Sequence, residues 1–412
     1  MYFAAHPHVK LVAVVGSVGK TGTKHAIATL LEQKYRVRMH SGNFNSEVSV
    51  PLAILGIDMP TRLSSAAQWL EVFRAAARRV KDPDDVEVIV QELGTDSPGD
   101  IAAFGRYLRP NITVVTAVTA EHMEFFKTLD TVAHEELSVA AYSQRLLINI
   151  DDVEVRYLAA LGRDTYSTYG LSEQADYRLE HYHLSSQGYR AKIHTPESAY
   201  KQAIEIGVVG RHSLLPVIAA IAVATEMGVT PDEVSKGIAQ LQPVPGRMHL
   251  IPGKRGISVI DDTYNASPAA VAAALQTLYE FGNDATQRIA VLGDMRELGD
   301  TSQVAHEAIG GLCDSARLTQ LVVVGPDMTQ YTAPVARARG CTVKCVKTAL
   351  EAGEFVRALA QPGAVVLVKG SQNTIFLEEC TKLLIEEKYH DKLVRQSSEW
   401  LSKKAAYFAS LK

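Results

Sequence analysis

The sequence predicts an α/β chain with two sheet-bearing domains. Three observations carry that reading. Short, almost wholly apolar β-branched runs alternate with longer helical stretches, the alternation halts at the Pro/Gly-dense segment "QPVPGRMHLIPGKRG" (242–256), and it restarts beyond it. A run apolar at every position marks a strand buried on both faces, as in a parallel sheet. The 412 residues suffice for two or three domains. A net charge of −4, with 21% charged residues, excludes a function resting on bulk charge, such as nucleic-acid or anionic-membrane binding.

Taken in order, "KLVAVVG" (10–16), "VEVIVQELG" (86–94), "ITVVTAV" (112–118) and "LLINIDD" (146–152) are the expected strands of the first domain. "SSAAQWLEVFRAAARRV" (64–80) has a helical pattern. Residues 176–208 alternate polar and apolar around "SSQG" and predict a small antiparallel patch. Residues 212–241 return to helix. After the Pro/Gly segment, strands are expected in "ISVIDD" (257–262), "RIAVLGD" (288–294), "LVVVG" (321–325), "CTVKCV" (341–346) and "AVVLVKG" (364–370). The expected boundaries are 1–244, 245–385 and a charged, helical, peripheral tail at 386–412.

Cys313, Cys341, Cys345 and Cys380 all lie in the last quarter. The C-x3-C pair has no second pair to complete a zinc site, so buried free thiols in a reducing cytoplasm are expected. No secretory leader is legible in "MYFAAHPHVK", and no apolar run reaches the roughly 18 residues of a membrane span.

The chemistry concentrates first in Gly16-Ser17-Val18-Gly19-Lys20-Thr21. This segment follows an apolar strand and opens a helix, as a phosphate loop must. Gly16 and Gly19 allow a tight turn that exposes backbone N–H groups to an anion, and the helix N-terminus adds partial positive charge. Lys20 can reach β- and γ-phosphates, and Thr21 can offer its hydroxyl to Mg²⁺. The loop is short: Val14 stands where the longer phosphate-loop pattern has its first glycine. Glu92, ending an apolar strand, can complete a Mg²⁺ shell with Thr21, or be a solvated surface group.

"GSVGKTGTK" resembles the ATP loop of the Mur ligases. The likeness continues in order through "GNFNSEVSVPLAILG" (42–56), "QELGTDSPGDI" (91–101), "VTAEHMEFF" (118–126), "GRHSLLPVIAAIAVA" (210–224), "PVPGRM" (243–248), "VIDDTYNASPAAVAAAL" (259–275), "VLGDMRELGD" (291–300) and "VLVKGSQN" (366–373). The last segments look most like the type that adds D-alanyl-D-alanine to a UDP-N-acetylmuramoyl tripeptide. The resemblance implies a P-loop central domain with a mostly parallel sheet, a smaller Rossmann-like C-terminal domain, and a cytoplasmic role in peptidoglycan synthesis. It also implies ATP and Mg²⁺ as cofactors. A carboxylate would attack the γ-phosphate of ATP to give an acyl phosphate, which an amine then opens.

On this resemblance, Gly16, Ser17, Gly19, Lys20, Thr21 and Gly22 would hold the phosphates. Glu92 would bind the first metal with Thr21, and His122 a second. Arg247, in the inter-domain linker, would stabilise γ-phosphate charge, its alternative being a linker salt bridge. Asp262 would bind the ribose, with Tyr264 and Asn265 lining the nucleotide. Lys369, Gly370 and Ser371 would serve the substrate carboxylate or the transition state. Asp294 and Glu297 either contact the incoming amine or are structural.

Four departures from the family pattern bear on function. Glu136 stands where the family has a carbamylated lysine, and is expected to supply that negative charge to the second metal directly. Ser213 and Pro216 replace two asparagines, and Ser46 and Ser49 replace an asparagine and a glycine. The likeness also begins at the ATP loop, so the family's UDP-binding domain is not covered. Acceptor recognition is then expected from another binding mode or from a partner protein. Two alternatives stay open: a ligase of this type for a different carboxylate, and a non-catalytic ATP-binding relative.

Overall fold

The computed structural model describes residues 2–410 except 41, 43, 83–85, 120–122, 163–165, 186–187, 198–199, 201–202, 242, 282–284 and 373–374. Contacts divide the chain into two units. The first comprises Met1–Tyr182, Arg190–Ile206 and Leu214–Leu241; the second comprises His183–Tyr189, Gly207–Ser213 and Gln242–Lys412.

The first sheet holds β1 (Lys10–Val15), β2 (Val37–Met39), β3 (Val88–Glu92), β4 (Ile112–Val115), β5 (Leu146–Asn149), β6 (Tyr166–Gly170), β7 (Tyr177–Ser185), β8 (Gly188–His194) and β9 (Ala203–Ile206). Their order is β2-β3-β1-β4-β5-β6-β7-β8-β9. Every pairing from β2 through to β7 is parallel. Leu11–Val15 are at most 1% exposed, as a strand covered on both faces requires. The alternating stretch expected as an antiparallel patch becomes β7–β9 at the end of this sheet, and β7 enters it parallel to β6, with Tyr169 opposite Tyr177. Composition did not reveal β2, only three residues long, or β6, "YSTYG", which has little aliphatic content.

The strand order reverses at β1, whose neighbours are β3 and β4. Carboxyl ends of strands flanking such a reversal form the crevice in which α/β sheets bind ligands. The register sets Val14 opposite Glu92 and Val15 opposite Val115, so the loops leaving β1, β3 and β4 emerge side by side.

The second sheet holds β10 (His249–Pro252), β11 (Ser258–Asp262), β12 (Arg288–Gly293), β13 (Gln320–Val324), β14 (Val343–Val346) and β15 (Val365–Lys369), in the order β10-β11-β15-β12-β13-β14. All neighbours are parallel except the edge pair β10–β11. Strand β10 lies inside the Pro/Gly-dense segment, which was read as connection; Pro252 sits at its end, where a missing N–H is tolerated. Successive side chains of a strand point to opposite faces. Ile260, Leu292, Val323 and Leu367 accordingly join one core with the helix Pro268–Glu280, while Val259, Val291, Val324 and Val368 join the other with the helix Ala349–Leu359. Each such buried aliphatic side chain contributes about 1.5–3 kcal/mol.

The tail expected to be peripheral belongs to this second unit. Its helix Ser398–Ser410 buries Lys404 and sets Tyr407 against Phe376, with ring centroids 5.3 Å apart. All four cysteines are unpaired, and Cys345 is half-buried where burial was expected. Among the described residues, no helix is long and apolar enough to cross a membrane.

Candidate active site

The loop between β1 and the helix Lys20–Leu31 has the geometry of an anion cradle. Gly16 has φ 123° and Gly19 φ 85°, in the left-handed region. A Cβ on Gly16 would lie 2.3 Å from Thr116 Oγ1 and 2.8 Å from the Ala117 backbone N, so the position admits only glycine. Strand β4 holds the loop from behind. The Ser17 N–H donates to Ala117 O at 2.9 Å, and Thr116 Oγ1 donates to Val18 O at 2.6 Å. The Ser17 hydroxyl exchanges hydrogen bonds with the Thr119 backbone, accepting from its N–H at 3.0 Å and donating to its carbonyl at 3.2 Å. Ser17, read as a phosphate ligand, thus spends its N–H and hydroxyl on fixing the loop. Gly22 lies within the helix, where a Cβ would meet Pro216 at an ordinary 3.7 Å, so nothing there demands glycine.

The Lys20 ammonium folds over the loop, donating to Gly16 O and, at 3.3 Å, to Ser17 O. Thr21 Oγ1 donates to Glu92 Oε2 at 3.0 Å. Glu92 is 3% exposed, and its other oxygen accepts from Asn45 Nδ2 at 3.3 Å. Lys24 Nζ stands 3.7 Å from Glu92 Oε2 and donates to Gly42 O at 3.1 Å. Burial holds the Lys24 ammonium below its ordinary pKa, and the Glu92 charge opposes that shift. Glu92 is therefore a buried strand-end carboxylate and not a solvated surface group. A hydroxyl and a carboxylate in contact fit Mg²⁺, a hard cation that takes one or two carboxylates and fills its shell with water and phosphate oxygens.

The second-metal set is not assembled among the described residues. His122 lies outside them, and no group of three or more His, Cys, Asp or Glu suited to a metal occurs among them. Glu136, 1% exposed on the helix Leu129–Leu137, directs Oε2 at the Gly16 N–H, which donates to it at 2.8 Å. One partner of the carboxylate expected to charge a second metal is thus the phosphate loop itself. Its neighbour Glu135 accepts from Gly99 N and Ile101 N, both at 2.7 Å, and so fixes the segment that follows Glu92. Ser46 and Ser49 bond each other, with hydroxyl oxygens 2.9 Å apart, at the start of the helix Ser49–Leu55. Thr116, Asn45, Lys24 and Glu135 were all missed in the sequence. A threonine closing β4 was the one available signal.

In the second unit the register sets Asp262 opposite Lys369, and Lys369 opposite Leu292. Lys369 was read as meeting the substrate carboxylate. It is 2% exposed instead, donating to Asp262 Oδ2 at 2.5 Å and Asn265 O at 3.0 Å. It is a positioning residue for Asp262, whose Oδ1 accepts from Met248 N at 3.1 Å. Ser371, also buried, accepts from Arg296 N at 3.1 Å and donates to the Asn265–Ala266 segment. Gly370 is buried beside Leu377. Asn265 is exposed, and Tyr264 is half-buried with the exposed Arg247 guanidinium stacked 4.3 Å from its ring centroid. No salt bridge to Arg247 occurs among the described residues.

Asp294 is fully buried, accepts from Met328 N at 2.8 Å and presses on Gly325, where a Cβ would lie 2.4 Å from its carboxyl. Burial raises its pKa. Its observed contacts are structural. Glu297 is exposed with φ 64°.

Residues 14–224 match the Mur ligase middle domain, and residues 246–372 match the Mur ligase glutamate ligase domain. The UDP-N-acetylmuramoyl-tripeptide–D-alanyl-D-alanine ligase of Bacillus subtilis is 29% identical over 390 residues, covering 92% of this chain and 76% of that protein. The Escherichia coli protein of the same name is 28% identical over 383 residues, covering 92% and 77%. Among solved structures, MurF from Acinetobacter baumannii superposes with a TM-score of 0.75 at 22% identity, covering 92% of this chain and 77% of that one. MurF from Thermotoga maritima in complex with ADP gives 0.69 at 22%, covering 94% and 81%. Between them the two domain matches take in the glycine loop, Glu92, Glu136, Arg247, Asp262 and Lys369, and the chain belongs to the Mur ligase family.

Proposed function

We propose that the chain is an ATP-dependent, ADP-forming ligase that adds D-alanyl-D-alanine to a UDP-N-acetylmuramoyl tripeptide in peptidoglycan precursor synthesis. The observation that carries this reading is the contact between Thr21 and Glu92 beneath a glycine loop at the sheet's reversal point. The relatives' names supply the substrate pair.

The substrate carboxylate attacks the γ-phosphorus of ATP; one oxygen–phosphorus bond forms as the bond to ADP breaks, giving an acyl phosphate. The amine then adds to the acyl carbon, and the tetrahedral adduct expels inorganic phosphate. Such transfer needs positioning and charge neutralisation more than covalent help from the protein. Lys20 swings from the loop carbonyls onto the β- and γ-phosphate oxygens. Thr21 and Glu92 would hold Mg²⁺, which when bound would offset charge on the transferring group. Arg247, exposed and always charged, offers a planar fork to phosphate oxygens, and its stack on Tyr264 sets its direction. Asp262 and Asn265 would contact the nucleoside, and Lys369 holds Asp262 in place. Glu136 holds the loop shut at Gly16.

The test is phosphate release from ATP and Mg²⁺ with UDP-N-acetylmuramoyl tripeptide and D-alanyl-D-alanine. Release that requires both substrates, and that stops on chelating Mg²⁺, is the expected result. Release only with a different carboxylate or amine, or tight ATP binding with no turnover on any pairing, overturns this assignment.

A further inference from the structure

The second domain match ends at residue 372, and the chain continues beyond it. In that continuation, Arg395 reaches back to the loop that follows β11. Its guanidinium donates to Thr263 O at 2.6 Å and Tyr264 O at 3.3 Å. The same fork makes a bidentate pair with Glu378, both bonds 2.9 Å, on side chains 7% and 0% exposed. Lys404 stands 3.3 Å from Glu378 and 2.5 Å from Glu379, so two cations from the tail balance two acids of the helix Glu378–Leu384. Arg395 itself sits at φ 56°, a conformation a non-glycine residue adopts only where its surroundings enforce it.

The preceding residue acts on the same place. A Cβ on Gly246 would lie 2.8 Å from Val394 Cγ1 and 2.9 Å from Tyr264 N, and Tyr264 N donates to Gly246 O at 3.0 Å. Val394 and Arg395 therefore press on both partners of the Arg247–Tyr264 stack, one through Gly246 and the other through two backbone carbonyls. A planar, permanently charged fork suits this task, because it can satisfy a buried carboxylate and two carbonyls at once.

We propose that Arg395 is a positioning residue for nucleotide binding: the tail clasps the loop 263–265 so that Tyr264, Asn265 and the stacked Arg247 are pre-set for ATP. This rests on the reading of that loop as a nucleotide contact. The test compares the full chain carrying Arg395→Ala, Arg395→Lys, Lys404→Met or Tyr264→Ala. Thermal unfolding is followed, ATP affinity is titrated by calorimetry with Mg²⁺ present, and the KM values for ATP and D-alanyl-D-alanine are measured.

Both Arg395 variants should weaken ATP binding by about tenfold or more, since displacing a positioning loop by about an ångström has effects of that order. The KM for D-alanyl-D-alanine should stay within about twofold. Lys404→Met removes a tail cation without touching the loop carbonyls; it should lower the melting temperature and leave ATP affinity within about twofold. Arg395→Lys keeps the charge and a donor group but not the planar fork, so it remains folded if Arg395→Ala does not. The proposal is overturned if a folded Arg395 variant binds ATP like wild type while Tyr264→Ala binds it weakly, or if both KM values rise together. If Tyr264→Ala also leaves ATP affinity unchanged, the nucleotide reading of the loop falls, and the proposal with it.

Discussion

The two sheets present their strand ends differently. At the first, the groups fitted for phosphate are a glycine turn, a half-buried Lys20 bonded, among the described residues, to carbonyls of its own loop, and a hydroxyl on a carboxylate. At the second, the polar groups that looked like ligands are bound to one another: the charged pair Lys369 and Asp262, and the neutral pair Ser371 and Asn265. Lys20, opening the helix after β1, is thus available for chemistry, whereas Lys369, ending β15, is consumed by architecture. Burial decides between them, because a 2% exposed ammonium must keep its counter-ion.

Substitution should separate the two edges. Lys20→Ala removes a cation aimed at developing phosphate charge. Phosphate release should fall about a thousandfold with little change in melting temperature. Lys369→Met leaves Asp262 buried without its counter-ion; urea unfolding should show a loss of about 3 kcal/mol, accompanied by weaker ATP binding. If Lys369→Met were as stable as wild type and lost only turnover, the contrast between the edges would break. Gly16→Ala drives a Cβ against Thr116 and Ala117 in a left-handed conformation, and should cost about 2–3 kcal/mol in the same assay.

A pH profile sharpens the second edge. Asp261 is fully buried beside Asp262, accepts from Thr263 at 2.8 Å and Thr381 at 3.1 Å, and burial pushes its carboxyl up to about 7 from 3.8. Between about pH 4 and pH 7 the unfolded chain has released a proton that the folded chain keeps. This group's contribution to stability is therefore full below pH 4 and is lost as pH rises towards 7, by at most about 1.4 kcal/mol per pH unit. Asp261→Asn should remove that slope from the stability–pH curve between pH 4 and 7; an unchanged slope would contradict the assignment.

The strands were legible because a parallel sheet demands continuous apolar runs, and "LVAVV" and "VVLV" supply them. The glycine loop was legible because its steric needs are written as residue types. What the sequence could not show is which of several available partners a polar side chain takes. Glu136 and Gly16 are 120 residues apart, and only the fold brings carboxylate to N–H. Lys369 and Asp262 read as two separate ligands until the register placed them opposite each other. Arg395 lies in a stretch whose sequence reads as a charged, helical, peripheral tail, with no pattern to mark its reach to residues 263–264.

The central claim is that residues 16–21 grip the triphosphate of ATP. Amide hydrogen exchange on the wild-type chain and on Lys20→Ala, with and without Mg²⁺ and ATP, tests it most directly. The account predicts that Mg²⁺–ATP slows exchange across 16–21 in wild type, and that this protection largely disappears in Lys20→Ala. Protection of some other segment while 16–21 exchanges at its ligand-free rate, under conditions where ATP is demonstrably bound, would contradict it.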